Sequence, residues 1–159
     1  MVPSQKTLVR SIMAYSGVYK KIKFRSLLEL SVIKHLEDQG LVLGETMLYE
    51  STIVPYGKTK IRNYIVDLTL IDSKTLVEIK PAARAENKNN SAKRKGAEVW
   101  CRDNGWSYVI VTEEELDRCG VRITLEQAAL IPDVQLNERA LRANRRKAAL
   151  RKRKARKKT

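Results

Sequence analysis

Apolar residues recur every four positions at Leu28, Val32 and Leu36. This spacing predicts a helix with one face packed against a core. Ser26 is a favourable residue at a helix start, and Gly40 suits the left-handed conformation that often follows a helix end. We therefore expect a helix that begins at Ser26 and stops at Gly40.

The pattern then changes to segments typical of strands. Residues 46–54 and 60–71 are rich in Tyr, Ile, Val and Thr and are separated by a turn at 55–57. A third strand, 76–80, is expected after the turn at 72–75. The last two strands should form a hairpin.

Helical and strand patterns alternate in the second half of the chain. A polar, basic segment at 82–95 leads into a helix that should end near Gly105, and an apolar strand follows at 106–111. Thr112 with Glu115 three residues later is the pattern of a helix start. A helix between strands predicts a parallel neighbour for the last strand, and hence an α/β fold with a mixed central sheet flanked by helices.

Polar residues in the hairpin carry the candidate chemistry. If 73–74 is a two-residue turn, Asp67 lies opposite Lys80 and Thr69 lies opposite Glu78. Because side chains alternate along strands, these four residues share one face and the apolar residues occupy the other. The hairpin therefore predicts two carboxylates and a lysine close together.

This group has two interpretations. Two diagonal carboxylates could bind Mg2+ or Mn2+, and Lys80 could position an attacking water or stabilise charge on a phosphate. The alternative is an exposed sheet face on which Asp67 and Lys80 form an ion pair of little energy. The hairpin alone does not decide between them.

Glu29 is a third candidate carboxylate. It lies on or beside the apolar face of the first helix, where a charge is costly unless a cation or a polar group pairs with it. Ser26 and Glu29 also have the spacing of a capping box, in which the glutamate reaches back to the Ser26 amide. Both roles are open from the spacing.

Length and composition indicate one domain with at most a small appendage, since the chain has 159 residues of which 43% are hydrophobic. No apolar run approaches the ~18 residues of a membrane span, so we expect no membrane partner. The first 17 residues lack the continuous apolar core of a secretory signal. We therefore expect an intracellular protein.

The formal net charge of +14 is concentrated in a tail. Residues 1–138 hold 20 basic and 18 acidic side chains, whereas residues 139–159 hold 12 basic ones and no acid. Such a block is typical of an arm for nucleic acid, although a solvated, partly disordered terminus has the same composition. Residues 136–158 favour a helix that we expect to order only when its charges are neutralised.

The order of the acidic residues brings a resemblance into view. An acid on an early helix, then Asp67, then Glu78-x-Lys80 on a hairpin resembles the PD-(D/E)xK nuclease superfamily, which has a restriction-endonuclease-like core. Within this superfamily the TnsA-type nucleases that cut transposon ends are the second most similar group, after a group of bacteriophage nucleases. Over residues 15–116 the following segments resemble, in order, the head-completion nucleases of tailed bacteriophages: Tyr15-Ser16-Gly17, Phe24-Arg25-Ser26-Leu27-Leu28-Glu29, Val54-Pro55-Tyr56, Arg62-Asn63-Tyr64-Ile65-Val66-Asp67, Glu78-Ile79-Lys80-Pro81 and Val111-Thr112-Glu113.

The resemblance implies a Mg2+- or Mn2+-dependent DNA endonuclease. Glu29, Asp67 and Glu78 would be its acidic metal-site residues, with Glu29 at a second metal or a bound water. The carbonyl of Ile79 would be a further metal ligand, and Lys80 would be the catalytic lysine. We expect an N-terminal segment at 1–23, a nuclease core at 24–132 and a basic arm, helical or disordered, at 133–159. Basic residues expected to contact DNA are Lys93, Arg94, Lys95, Arg145, Arg146, Lys147, Arg151, Lys152, Arg153 and Lys154.

If the resemblance extends to biology, the protein acts on phage heads after DNA packaging. It would then work in the cytoplasm of the bacterial host or with the virion, and portal, capsid or head-tail connector proteins would be its partners. Two alternatives are a TnsA-like or junction-type endonuclease of another pathway, and a DNA-binding or virion structural protein that keeps the fold without cleavage.

Overall fold

The computed structural model describes residues 15–156 and forms two compact units. One unit contains the chain up to Leu30 and from Ile123 onward, and the other contains Ser31–Arg122. The expectations for residues 1–14 and 157–159, which include the start of the N-terminal segment and the end of the basic arm, lie outside the described residues. No helix within 15–156 has the length and hydropathy needed to cross a membrane.

Short strands and helices follow one another along the described residues. In chain order they are β1 (Gly17–Tyr19), β2 (Ile22–Phe24), α1 (Leu27–Asp38), β3 (Met47–Tyr49), β4 (Ile53–Tyr56), β5 (Arg62–Ile65), β6 (Leu68–Leu70), β7 (Thr75–Ile79), α2 (Ala82–Ala85), α3 (Lys88–Asn104), β8 (Ser107–Val111), α4 (Glu113–Cys119), α5 (Leu125–Ala128), β9 (Val134–Leu136) and α6 (Glu138–Arg156).

The sheet of the second unit has the strand order β3-β6-β7-β8. Strands β3, β6 and β7 pair antiparallel, and β7 pairs parallel with β8. The helix α3 connects β7 to β8, as expected for a parallel crossover. The predicted α/β fold with a mixed sheet is confirmed.

A hairpin of β4 and β5 and the helix α3 cover an apolar cluster of the second unit. Its buried members include Tyr64 from β5, Leu76 from β7 and Cys101 from α3, and Tyr108 from β8 packs against them. Gly96 permits close contact between α3 and β4, because a Cβ at this position would lie 2.7 Å from the carbonyl oxygen of Pro55. The hairpin is therefore held tightly on the helix.

The helix boundaries agree well with the local sequence signals. Helix α1 is followed by Gly40 at a φ of +94° and α3 by Gly105 at +70°, both left-handed. Thr112 and Glu115 form the predicted capping box of α4. These features were predictable because each depends on a few neighbouring residues.

Two predicted strands are each divided in the structure. The segment 46–54 splits into β3 and β4 at Glu50, whose φ of +48° interrupts the extended backbone, and 60–71 splits into β5 and β6. Hydrogen bonds from Glu50 N to the Asp67 carbonyl and from Val66 N to the Thr52 carbonyl span the break. The two segments therefore run side by side between the four-stranded sheet, which contains β3 and β6, and the two-stranded sheet of β4 and β5.

The first unit contains a small sheet that the sequence patterns did not indicate. Strand β1 pairs antiparallel with both β2 and β9. Asn137, just after β9, donates from its backbone N–H to the carbonyl of Ser16 at 3.0 Å. The two ends of the described chain are therefore joined within this unit.

The basic arm forms a helix in the structure, α6, although we expected order only after charge neutralisation. The side chain of Asn137 accepts a hydrogen bond from Ala140 N and caps the helix start. Glu126 on α5 lies 3.6 Å from Lys147 Nζ and 3.4 Å from an Arg151 guanidinium nitrogen. Part of the positive charge is thus neutralised within the unit.

Candidate active site

The β6–β7 hairpin has a different register from the predicted one. Leu68 lies opposite Val77 and Leu70 opposite Thr75, because the turn comprises four residues, 71–74, rather than two. The same register continued by one residue brings Asp67 opposite Glu78. The predicted pairs of Asp67 with Lys80 and of Thr69 with Glu78 are therefore wrong by two residues. A shift of two preserves the alternation of side chains, so the predicted shared face remains.

Asp67 immediately precedes β6, and the backbone of β7 holds its side chain in place. Its Oδ2 accepts a hydrogen bond from the N–H of Ile79 at 2.7 Å, and the residue is 6% exposed. The N–H and C=O of one strand residue point to the same neighbouring strand. The Ile79 carbonyl consequently lies on the side of β7 that faces Asp67, as a ligand role for this carbonyl requires.

Glu78 and Lys80 form a buried ion pair beside Asp67. Lys80 Nζ lies 3.1 Å from Glu78 Oε1, although the angles are not those of a hydrogen bond. Glu78 is 9% exposed and Lys80 6%. The interpretation as an exposed sheet face is therefore wrong, and separating such a buried pair would cost about 3–5 kcal/mol.

A carboxylate oxygen of the site that lacks a hydrogen bond is suited to bind a divalent cation. Glu78 Oε2 is buried and makes no hydrogen bond, while its partner oxygen faces Lys80. A buried, unsatisfied carboxylate oxygen is costly unless a ligand completes it. Within residues 15–156 no group of three or more His, Cys, Asp and Glu side chains is arranged around a metal position. Two carboxylates and a carbonyl are hard oxygen ligands, the kind that such a cation prefers.

Glu29 belongs to the first unit and has local partners there. Its backbone N–H donates to Ser26 Oγ at 3.2 Å, which is one half of the predicted capping box. Its Oε2 accepts from the N–H of Arg25 at 2.9 Å rather than from Ser26. Oε1 also lies 3.7 Å from Arg25 Nε. The helix-start geometry explains the position of Glu29, and its role in cleavage stays a prediction.

Two tyrosines next to the carboxylates were missed by the sequence reasoning. The hydroxyls of Tyr64 and Tyr108 are buried without a hydrogen bond, although they are close enough for each to shift the pKa of the other. Burial and the negative charge of Glu78 raise both pKa values, so both phenols stay protonated at neutral pH. An alternating strand pattern marks such tyrosines only as core residues.

The basic residues of α3 have different surroundings. Lys93 is half-buried, with Nζ 5.4 Å from the centre of the Tyr64 ring. Arg94 pairs with Glu98 at 2.8 Å, and this carboxylate raises the arginine pKa further. Lys95 is exposed. Lys93 therefore lies over the ring of Tyr64, whereas Arg94 already has an acidic partner.

Every residue of α6 that was predicted to contact DNA is exposed. Lys147 and Arg151 have an acidic partner in Glu126. The remaining predicted contacts of this helix are Arg145, Arg146, Lys152, Arg153 and Lys154.

A mixed sheet with an aspartate, a glutamate and a lysine at adjoining strand ends is the arrangement expected of the restriction-endonuclease-like superfamily. In agreement, the family model described as TnsA-like endonuclease N terminal matches residues 32–113, just over half of the chain. The chain belongs to this TnsA-like endonuclease family. Searches of curated proteins and of solved structures gave no match.

The matched region limits what the family relationship covers. It includes Asp67, Glu78, Lys80 and the basic start of α3. Glu29 and the helix α6 lie outside residues 32–113. The family therefore supports a DNA endonuclease and says nothing about the arm.

Proposed function

We propose that the protein is a divalent-metal-dependent DNA endonuclease whose site consists of Asp67, Glu78, Lys80 and the carbonyl of Ile79. The observation that carries the proposal is the buried Glu78 oxygen without a hydrogen bond, next to an aspartate oriented by a backbone N–H. Charged groups buried in this way are costly for folding alone. A catalytic site gives a reason to keep them.

Each residue has a separate task in phosphodiester hydrolysis. When bound, Mg2+ or Mn2+ would supply positive charge to the phosphate and lower the pKa of a water. Asp67 and Glu78 supply the negative charge that attracts the cation, and the Ile79 N–H holds Asp67 in place. Lys80 carries the positive charge nearest to Glu78, from which it can position the nucleophile or stabilise charge on the phosphate. Glu29 would serve a second cation or a bound water.

DNA binding is the next part of the proposal. Lys93, Lys95 and the exposed basic residues of α6 offer contacts to phosphates, which carry sequence-independent affinity. Arg94 would have to exchange its Glu98 partner for a phosphate. These contacts fix the protein on DNA and carry no sequence information themselves.

The biological pathway is the most specific part of the proposal. The order of the motifs over residues 15–116 favours head completion in tailed phages, in the host cytoplasm or with the virion, where portal, capsid or connector proteins would be partners. The family match equally supports cutting of transposon ends. A neighbouring tail gene favours the first pathway and a neighbouring transposase gene the second.

The activity is tested with purified protein and linear, nicked, branched and single-stranded DNA in Mg2+, Mn2+ or EDTA. We expect cleavage of at least one substrate with a divalent cation and none in EDTA. Asp67→Asn protein, purified in the same way, controls for a contaminating nuclease. DNA binding without cleavage under every condition would instead support a binding or virion structural protein on this fold.

A further inference from the structure

Within residues 15–156, the buried side-chain nitrogens and oxygens that lack a hydrogen bond all belong to four residues of the second unit. They are the hydroxyls of Tyr64 and Tyr108, Glu78 Oε2 and Lys80 Nζ. Buried polar atoms are nearly always satisfied, so each exception calls for a reason. Glu78 and Lys80 belong to the proposed site, whereas the two tyrosines have no task in it so far.

The sheet register places Tyr108 beside the candidate metal ligand. Tyr108 on β8 lies opposite Leu76 on β7, and Glu78 is two residues further along the same face of β7. A diagonal neighbour in a sheet is within reach of a long aromatic side chain. Tyr108 and Glu78 therefore lie on the same face of the sheet.

Tyr64 approaches the same face from the β4–β5 hairpin. Tyr64, Leu76 and Tyr108 belong to one packed cluster, so both phenol rings adjoin the same residue of β7. Tyr56 fixes the Tyr64 ring edge to face, with the ring centres 5.7 Å apart. Rings held in this way bring their hydroxyls to a set position, which a supporting residue requires.

We propose that Tyr64 and Tyr108 are positioning residues: when a divalent cation binds, their hydroxyls, which make no hydrogen bond in the structure, donate to the Glu78 carboxylate and fix its orientation. The inference rests on the proposed function, because it takes Glu78 as a metal ligand. A carboxylate has about four acceptor sites, so Oε2 can receive these hydrogen bonds and still bind a cation.

The test measures metal affinity without DNA. Mn2+ is titrated calorimetrically into the full chain and into the double variant Tyr64→Phe/Tyr108→Phe. Loss of hydrogen bonds to a ligating residue typically weakens metal binding about 10–100-fold, so we expect a dissociation constant at least about 10-fold higher. Tyr56→Phe is the control, since its ring touches Tyr64 but its hydroxyl is not among the unsatisfied atoms. The Mn2+ affinity of the Tyr56→Phe protein should equal that of the wild type.

Thermal melting separates positioning from a structural role. Removing an unsatisfied buried hydroxyl also removes its desolvation cost, so the metal-free double variant should melt at the same or a higher temperature. DNA cleavage by the double variant should be reduced at low Mn2+ and should recover at saturating Mn2+, because the defect lies in binding the cation. A lower melting temperature with unchanged Mn2+ affinity would overturn the positioning role.

Further variants keep the outcomes distinct. If the double variant does not fold, Tyr108→Phe at the half-buried position must still weaken Mn2+ binding, or the inference fails. Mn2+ binding lost in Glu78→Gln but unchanged in the tyrosine variants overturns the inference and leaves the proposed function standing. A wild-type protein that binds no Mn2+ overturns both.

Discussion

The backbone N–H of Ile79 donates a hydrogen bond of 2.7 Å to Asp67 Oδ2, so the orientation of the aspartate is set by the strand that carries Glu78 and Lys80. The bond depends on no side chain other than that of Asp67 itself. Because the Ile79 carbonyl points toward the same neighbouring strand, one residue of β7 both orients one proposed ligand and supplies another.

This bond makes Asp67→Asn a clean test of a metal-ligand role. The asparagine oxygen can still accept from Ile79, so the fold should survive while the charge is lost. We expect cleavage to fall by more than about 100-fold, beyond the loss typical of a residue that only supports a ligand, and Mn2+ binding to weaken in parallel. The control is Asp72→Asn, in the exposed turn of the same hairpin. Wild-type cleavage by folded Asp67→Asn would exclude the assignment.

Lys80 should affect turnover without holding the cation. An ammonium has no lone pair to offer a metal, and Lys80 neutralises part of the Glu78 charge at 3.1 Å. Lys80→Gln keeps a donor for Glu78 and removes this positive charge. We expect slower cleavage with Mn2+ affinity unchanged or higher, measured by calorimetry beside Lys74→Gln, an exposed position. Loss of metal binding in Lys80→Gln would make the lysine a structural residue.

Glu29→Gln separates the two roles of the helix-start glutamate. A glutamine can keep the hydrogen bond from Arg25 N, so a purely capping role predicts unchanged cleavage and a loss of at most ~1 kcal/mol in the free energy of unfolding. A role in the site predicts lower cleavage with little change in melting temperature, and this is the result we expect. Glu37→Gln, which loses an ion pair with Lys34 on the same helix, is the control.

The fold was predictable where the determining contacts are local. The end of α1 at Gly40 and the capping box at Thr112 each depend on a few neighbouring residues. The shared face of Asp67 and Glu78 follows from alternation alone. These features therefore agree with the structure even though the register did not.

The remaining features depend on contacts that sequence patterns do not carry. A shift of two residues between β6 and β7 leaves every side chain on its face, so alternation cannot distinguish the two registers. The pairing of β1 with β9 joins residues more than a hundred positions apart. Tyr64 and Tyr108 reach the site from two different strands, and nothing in their local sequence separates them from ordinary core tyrosines.

The capping box of α4 predicts a pH-dependent part of the stability. Hydrogen bonds from Thr112 lower the pKa of Glu115 below its ordinary value of 4.5. The folded state therefore binds this proton less readily than the unfolded state, so the contribution is present above the ordinary pKa and is lost as the pH falls through the lowered value. Urea unfolding of wild type and Glu115→Gln should differ at neutral pH and converge well below pH 4.5. A difference that persists in acid would contradict this origin.

The exposed end of α6 should supply sequence-independent affinity for DNA. Each phosphate contact contributes about −0.9 to the log-log salt slope of binding, so changing Lys152, Arg153 and Lys154 together to Gln should make the slope less steep by about 2.7 if all three reach phosphates. Binding should weaken equally for different sequences, while cleavage at saturating protein and low salt persists. The matched control changes Arg102, Arg118 and Arg122 to Gln, since all three are already in ion pairs and the same net charge is removed. Fluorescence titrations at several salt concentrations provide the measurement. If α6 instead docks on an acidic protein surface, the arm variant and the control will have the same slope.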